Sequence, residues 1–152
     1  MVDSEYDCLK LENQLCFPLY VCSKEIVRRY TPYLEPLGIT YTQYITMMAL
    51  WEFSPMSLKE LGGKVCLDSG TLTPLLKKLE EKGFITRERS KRDERSVRLK
   101  VTEAGYDLRD KVKTFPMVVC SSVDITAEDV LALQSIIKSL LASMKENDSQ
   151  SL

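Results

Sequence analysis

The stretch SLKELGGKVCLDSGTLTPLLKKLEEKG, residues 57–83, decides the fold. Ser57 and Glu60 have the spacing of a capping box and open a short helix through Leu58, Leu61 and Val65. Asp68, Ser69 and Gly70 turn the chain into a second helix. Its Leu72, Leu75, Leu76 and Leu79 fall at i, i+3, i+4 and i+7, a narrow stripe that faces a core. Gly83 stops that helix. Residues 84–89 (FITRER) and 96–101 (SVRLKV) then read as two short strands joined by a charged tip, a hairpin. Two short helices followed by a basic hairpin predict a winged helix-turn-helix that meets DNA through residues 57–100.

The second helix is the expected reader. At 100° per residue the leucines occupy one side, while Gly70, Thr73, Pro74 and Lys77 occupy the other, flanked by Thr71 and Lys78, with Ser69 at the entry. Little bulk at Gly70 and Pro74 permits close approach to a groove. The threonines bring hydroxyls and methyls for base edges, and the lysines meet phosphates. Pro74 predicts either a helix that begins nearer Thr71 or a local distortion, because it removes a backbone donor. On the hairpin, Arg87, Arg89, Lys91, Arg92 and Arg95 are the candidates for minor-groove or phosphate contact. A solvated charged hairpin beside an ordinary amphipathic helix is the competing reading of the same residues.

Outward from this unit the chain reads as mainly helical. Cys8, Leu11, Leu15, Leu19, Cys22 and Ile26 have helical spacing, with Pro18 predicting a kink or a lost hydrogen bond. Pro32, Pro36 and Gly38 mark a broken connection, and Thr40 with Gln43 caps a helix that Ser54-Pro55 ends. Thr102 and Glu103 open a helix toward Val119 that Pro116 breaks. Thr126 and Asp129 cap a last one, striped by Val130, Leu133, Ile137, Leu140, Leu141 and Met144.

Charge is localised. Residues 77–100 hold ten basic and five acidic side chains, a net +5, in a 152-residue chain of net charge −1. A basic block in an otherwise acidic chain is the footprint of a confined DNA surface. No apolar run approaches a membrane span, and the acidic N-terminus lacks the order of a signal peptide, so a cytoplasmic protein is expected. The five cysteines should there be thiols. With no histidine and no Cys-x-x-Cys pair, neither a structural zinc site, a cofactor nor an enzyme is expected.

The runs LENQLCFPLY (11–20), GITYTQY (38–44), LDSGTLTPLL (67–76) and RDERSV (92–97) resemble, in order over most of the chain, the MarR family in its organic-hydroperoxide-sensing OhrR branch. The resemblance implies a homodimer that represses by binding a pseudo-palindromic operator and uses no cofactor. Residues 8–37 and 102–145 would form the dimerisation helices, 40–101 the winged helix-turn-helix and 146–152 a flexible tail. Pro74 fits the family pattern; Pro18 departs from it. A related regulator answering a small phenolic ligand is the alternative function.

Within the resemblance Cys16 matches the peroxide-reactive cysteine, and Tyr20, Tyr30 and Tyr41 match tyrosines associated with it. Organic hydroperoxide is then the implied effector. Taken alone, a cysteine in an amphipathic helix is more often core filling. Read as lying two turns into a helix that starts at Cys8, Cys16 is too far from the terminus for help from the helix dipole, which leaves tyrosine hydroxyls to support a thiolate. Tyr30, 14 residues on, is about 21 Å away along a regular helix, so an antiparallel partner helix would have to supply it. Cys120 resembles the placement of a resolving cysteine in two-cysteine members. Cys8, Cys22 and Cys66 are expected to be packing residues.

Overall fold

A computed structural model describes residues 4–89 and 97–150. The chain divides into two compact units, Met1–Phe115 and Pro116–Leu152. The helices are α1 (Cys16–Leu34), α2 (Tyr41–Phe53), α3 (Leu58–Val65), α4 (Ser69–Glu81), α5 (Glu103–Val112), α6 (Phe115–Ser121) and α7 (Ala127–Gln150). The strands are β1 (Met56–Ser57), β2 (Ile85–Arg89) and β3 (Val97–Val101). The result is the expected mainly helical fold with a small hairpin wing.

In the first unit one core collects the inward faces of α2 to α5. Met47 and Leu50 of α2, Leu61 of α3, and Leu72, Leu76 and Leu79 of α4 are buried together with Ile85, Leu99, Val101 and Leu108. β2 and β3 pair antiparallel from Ile85↔Val101 to Arg89↔Val97. The sheet has a third strand that the sequence reading lacks: β1 pairs with β3 through Met56↔Leu99 and Ser57↔Arg98, giving the order β1-β3-β2. Two residues carry no alternation to read.

Local capping agrees with the sequence. Thr40 with Gln43 and Ser57 with Glu60 each form a full capping box, and Thr102 caps α5 at Gly105. Elsewhere the expectations need correction. The first α-helix begins at Cys16, not Cys8; Ser4–Leu9 and Leu11–Asn13 are 3-10 turns. The Asn13 amide donates to the Asp7 carbonyl at 2.7 Å and the Gln14 amide donates to that of Cys8, so side chains take backbone acceptors there. Pro18 therefore sits third in α1, where no intrahelical bond is lost, and the predicted kink has no cause. α1 also runs through Pro32 and ends before the 3-10 turn Glu35–Leu37, with Gly38 left-handed at φ 65°.

α5 stops at Val112 instead of continuing toward Val119, and Pro116 lies in the first turn of α6, a position that needs no backbone donor. α7 extends to Gln150, beyond the start of the polar tail expected from 146. Lys145, Glu146 and Gln150 are good helix formers, and neither glycine nor proline interrupts them. No described helix is long and apolar enough to cross a membrane.

Candidate DNA interface and thiol site

The reader helix owes its start to Asp68. Its carboxylate accepts from the Thr71 N–H at 2.9 Å and the Thr71 hydroxyl at 2.8 Å, and these bonds, the hydroxyl first, hold its pKa below the usual value. Beside it, a Cβ at Gly70 would lie 2.9 Å from Asp68 Oδ1, so any larger residue there would press on the capping carboxylate. α4 starts at Ser69 and passes through Pro74, so the helix does not begin nearer Thr71. Pro74 leaves the Gly70 carbonyl without its i+4 donor. One turn earlier the Thr73 hydroxyl donates to the Ser69 carbonyl at 2.6 Å.

Ser69, Gly70, Thr71, Thr73, Pro74, Lys77 and Lys78 are all exposed, opposite the buried leucines. The sequence placed them on this face correctly. It did not reveal that both threonine hydroxyls donate within the helix, leaving lone pairs and methyl groups to be offered outward. That set suits a thymine methyl or a base donor better than a base acceptor.

The wing is tied to α4. Arg87 Nε lies 3.1 Å from Glu80 Oε2, and its Nη2 donates to the Thr73 carbonyl at 3.5 Å. On β3, Arg98 lies 3.3 Å from Glu60 and Lys100 lies 3.6 Å from Glu88. Ser57, chiefly through its backbone N–H, holds the Glu60 carboxyl low. Arg89 pairs through its backbone with Val97. Lys91, Arg92 and Arg95 lie outside the described residues.

Cys16 is the first residue of α1 and is exposed. This overturns the expectation that it lies two turns in. The preceding Leu15 contributes no side-chain cap, so the first-turn N–H groups beside the sulfur have no side-chain acceptor. An anion is favoured at such a position. Tyr20 is one turn further and exposed.

Tyr30 and Tyr41 are together, ring centroids 5.1 Å apart, but 14 residues of continuous helix put Tyr30 about 21 Å from Cys16 of its own chain. Tyr44 joins them, 5.6 Å from Tyr30 and 6.2 Å from Tyr41. Its i+3 spacing from Tyr41 was the available signal. Burial raises the pKa of the Tyr41 phenol, and burial followed by Tyr41 raises that of Tyr44, so both hydroxyls remain donors at neutral pH.

Cys120 is exposed on α6. Cys8, Cys22 and Cys66 are exposed too, contrary to the packing role expected of them. Cys66 adopts a left-handed conformation, φ 55°, as the residue that closes α3, and this carries it off the helix's buried face. Exposed apolar side chains gather on α1 (Phe17, Leu19, Val21, Ile26) and on α7 (Leu131, Leu133, Ile136, Leu141, Met144).

A model of the MarR family matches residues 39–97. The organic hydroperoxide resistance transcriptional regulator of Bacillus subtilis is 42% identical over 147 residues, covering 97% of this chain and all of the relative. Reduced AbfR bound to DNA, from a Staphylococcus epidermidis protein, superposes with a TM-score of 0.79 at 31% identity, covering 93% of this chain and 97% of that one. The disulfide-formed AbfR gives a TM-score of 0.62 at 30% identity, covering 96% of this chain and 97% of that one.

Proposed function

Because the chain belongs to the MarR family, we propose that it is a homodimeric transcriptional repressor that senses organic hydroperoxides through Cys16 and leaves its operator on oxidation. The observation that carries this reading is the placement of Cys16: an exposed thiol on the uncapped first residue of α1, followed one turn later by Tyr20. The name of the Bacillus subtilis relative supplies the oxidant class, and the DNA-bound reduced AbfR supports the DNA partner.

The DNA-facing residues of this reading are Ser69, Gly70, Thr71, Thr73, Pro74, Lys77 and Lys78 on α4, with Arg87, Arg89, Lys91, Arg92 and Arg95 on the wing. The apolar faces of α1 and α7 support pairing with a second copy, and a pseudo-palindromic operator follows from two-fold symmetry. An antiparallel partner α1 would bring Tyr30, with Tyr41 and Tyr44 beside it, toward Cys16. Repression of this kind acts where the DNA is, which supports the cytoplasmic expectation.

The chemistry balances simply. The Cys16 thiolate attacks one peroxide oxygen, an S–O bond forms as the O–O bond breaks, and the alkoxide leaves and takes a proton to become the alcohol. Cys120 of the partner subunit then attacks the sulfenic sulfur, forming a disulfide and releasing water. A cross-linked interface favours a different spacing of the two α4 helices, and the groove contacts are lost.

The test is binding to the DNA upstream of its own coding sequence, before and after one equivalent of cumene hydroperoxide, then after dithiothreitol. Tight binding lost on oxidation and restored by the thiol is expected, with Cys16→Ser binding but indifferent to peroxide. Binding that persists through oxidation would remove the sensor and leave a regulator of the phenolic-ligand kind.

A further inference from the structure

The phenols of the proposed thiol site are one end of a longer chain of contacts. Tyr44, only 3% exposed, packs on the rings of Tyr30 and Tyr41. On its far side the Trp51 indole meets it edge-on, with centroids 6.5 Å apart. Every step in this series lies within the separation at which aromatic pairs attract. Tyr41, Tyr44 and Trp51 share one side of α2, since intervals of three and seven residues return to nearly the same face.

The other end of α2 is fastened to the base of the wing. Trp51 Nε1 donates to the Gly105 carbonyl at 2.9 Å, and the Ser54 hydroxyl accepts from the Val101 N–H at 3.2 Å. Gly105 in turn sits directly against Phe84 and Val101, the residues at which the two wing strands enter and leave. Between the two attachments α2 contains neither glycine nor proline, so nothing in it bends. Tyr41 and Trp51 are about 15 Å apart along this rod. One helix thus grips the phenols at its first turns and the wing at its last.

We infer that α2 is a lever that carries oxidation of Cys16 to the wing, held at the phenols by Tyr44 and at the wing base by Trp51. The inference rests on the thiol-sensing reading, in which Cys16 of the partner subunit lies toward Tyr30. A sulfenic acid or a disulfide is bulkier than a thiolate and takes different hydrogen bonds, so the phenol rings repack. Close-packed rings pass a displacement on instead of absorbing it. Tyr44 and Trp51 are positioning residues: they act through the phenols and through Gly105. Release of DNA then includes a change in the placement of the wing as well as in the spacing of the two α4 helices.

Trp51 is the one tryptophan of the chain, so its fluorescence reports on the far end of the lever. In the full-length protein without DNA, one equivalent of cumene hydroperoxide should change the indole emission. Dithiothreitol should reverse the change, Cys16→Ser should lack it, and Tyr44→Leu should reduce it. The second readout is the ratio of affinities for the upstream DNA before and after oxidation. That ratio should be of the order of a hundredfold in the wild type and fall to about tenfold or less in Trp51→Phe, which keeps a ring but loses the donor to Gly105. A merely structural Trp51 would weaken the reduced and oxidised proteins alike and leave the ratio unchanged, which overturns the lever. Thermal unfolding reports whether the variants fold, and the wild-type emission decides without them. Indole emission that ignores oxidation in a wild type that still releases DNA also overturns the lever and leaves the sensor standing. A wild type that holds its DNA through oxidation brings down the sensor reading and the lever with it.

Discussion

The indole Nε1 of Trp51 donates to the Gly105 carbonyl at 2.9 Å, fastening the last turn of α2 to the first turn of α5. The contact exists because Gly105 has no side chain. A Cβ there would collide with the Phe84 carbonyl oxygen and lie 2.7 Å from Val101 Cγ1. The strands of the wing thus meet α5 at a point that tolerates no added atom.

Gly105→Ala should therefore lower the stability to urea unfolding by about 3 kcal/mol, the upper part of the range for overpacking, since the obstacle is backbone. Gly63→Ala is the matched control. A Cβ at Gly63 meets nothing within 4 Å inside α3, so alanine should add about 0.5–1 kcal/mol. Equal midpoints for the two variants would refute this account of the junction.

The proposed cross-link gives an electrophoretic prediction. After one equivalent of hydroperoxide, a non-reducing gel of the wild type should show a covalent dimer. Cys16→Ser and Cys120→Ser should each abolish it, and Cys8→Ser, Cys22→Ser and Cys66→Ser should each keep it. A gel showing only monomer, with a small-thiol adduct on Cys16, would remove Cys120 from the mechanism without touching Cys16.

Tyr41 and Tyr44 make an alkaline prediction. Burial raises both phenol pKa values, so the fold prefers their neutral forms. An unfolded chain releases these protons near pH 10 while the folded chain still holds them. The stability they contribute is fully present below that pH and is lost as pH rises through their folded values. In an ultraviolet titration part of the tyrosine signal should appear late, and the Tyr41→Phe, Tyr44→Phe double variant should lose the share of it that these two phenols contribute. A double variant whose late signal is undiminished would contradict it.

Features set by neighbours in sequence were legible. The boxes at Thr40–Gln43 and Ser57–Glu60 and the leucine stripe of α4 need only a few residues to specify them. The start of α1 was not. Cys8, Leu11 and Leu15 keep helical spacing, yet the amides of Asn13 and Gln14 bind the carbonyls of Asp7 and Cys8 and displace the helix to Cys16. That shift changes the chemistry of the thiol site, because it puts the sulfur at a helix terminus. Cys66 misled for a related reason: periodicity was extended one residue past the end of α3, where the backbone turns left-handed. The family resemblance named Cys16 and three tyrosines but missed Tyr44, whose place in the cluster depends on how α1 packs on α2.

The partnership of Arg87 and Glu80 was equally hidden, since it joins a strand to a helix, and it changes what Arg87 is expected to do. The guanidinium is engaged by the Glu80 carboxylate and the Thr73 carbonyl, both on α4, which makes it a strut between wing and reader before it is a phosphate contact. A strut sets the geometry with which α4 and the wing meet their grooves, so its loss should fall on specific binding. Arg87→Ala should reduce affinity for the operator by up to about fivefold, equivalent to the roughly 1 kcal/mol of an exposed ion pair, with much less effect on random-sequence duplex. Glu80→Gln should reproduce part of that loss although it removes a negative charge from the DNA-facing side. A phosphate contact behaves differently: Arg87→Ala would then weaken both duplexes alike and lower the salt slope by about one, and Glu80→Gln would tighten binding. Titrating both variants against both duplexes at several salt concentrations separates the two roles.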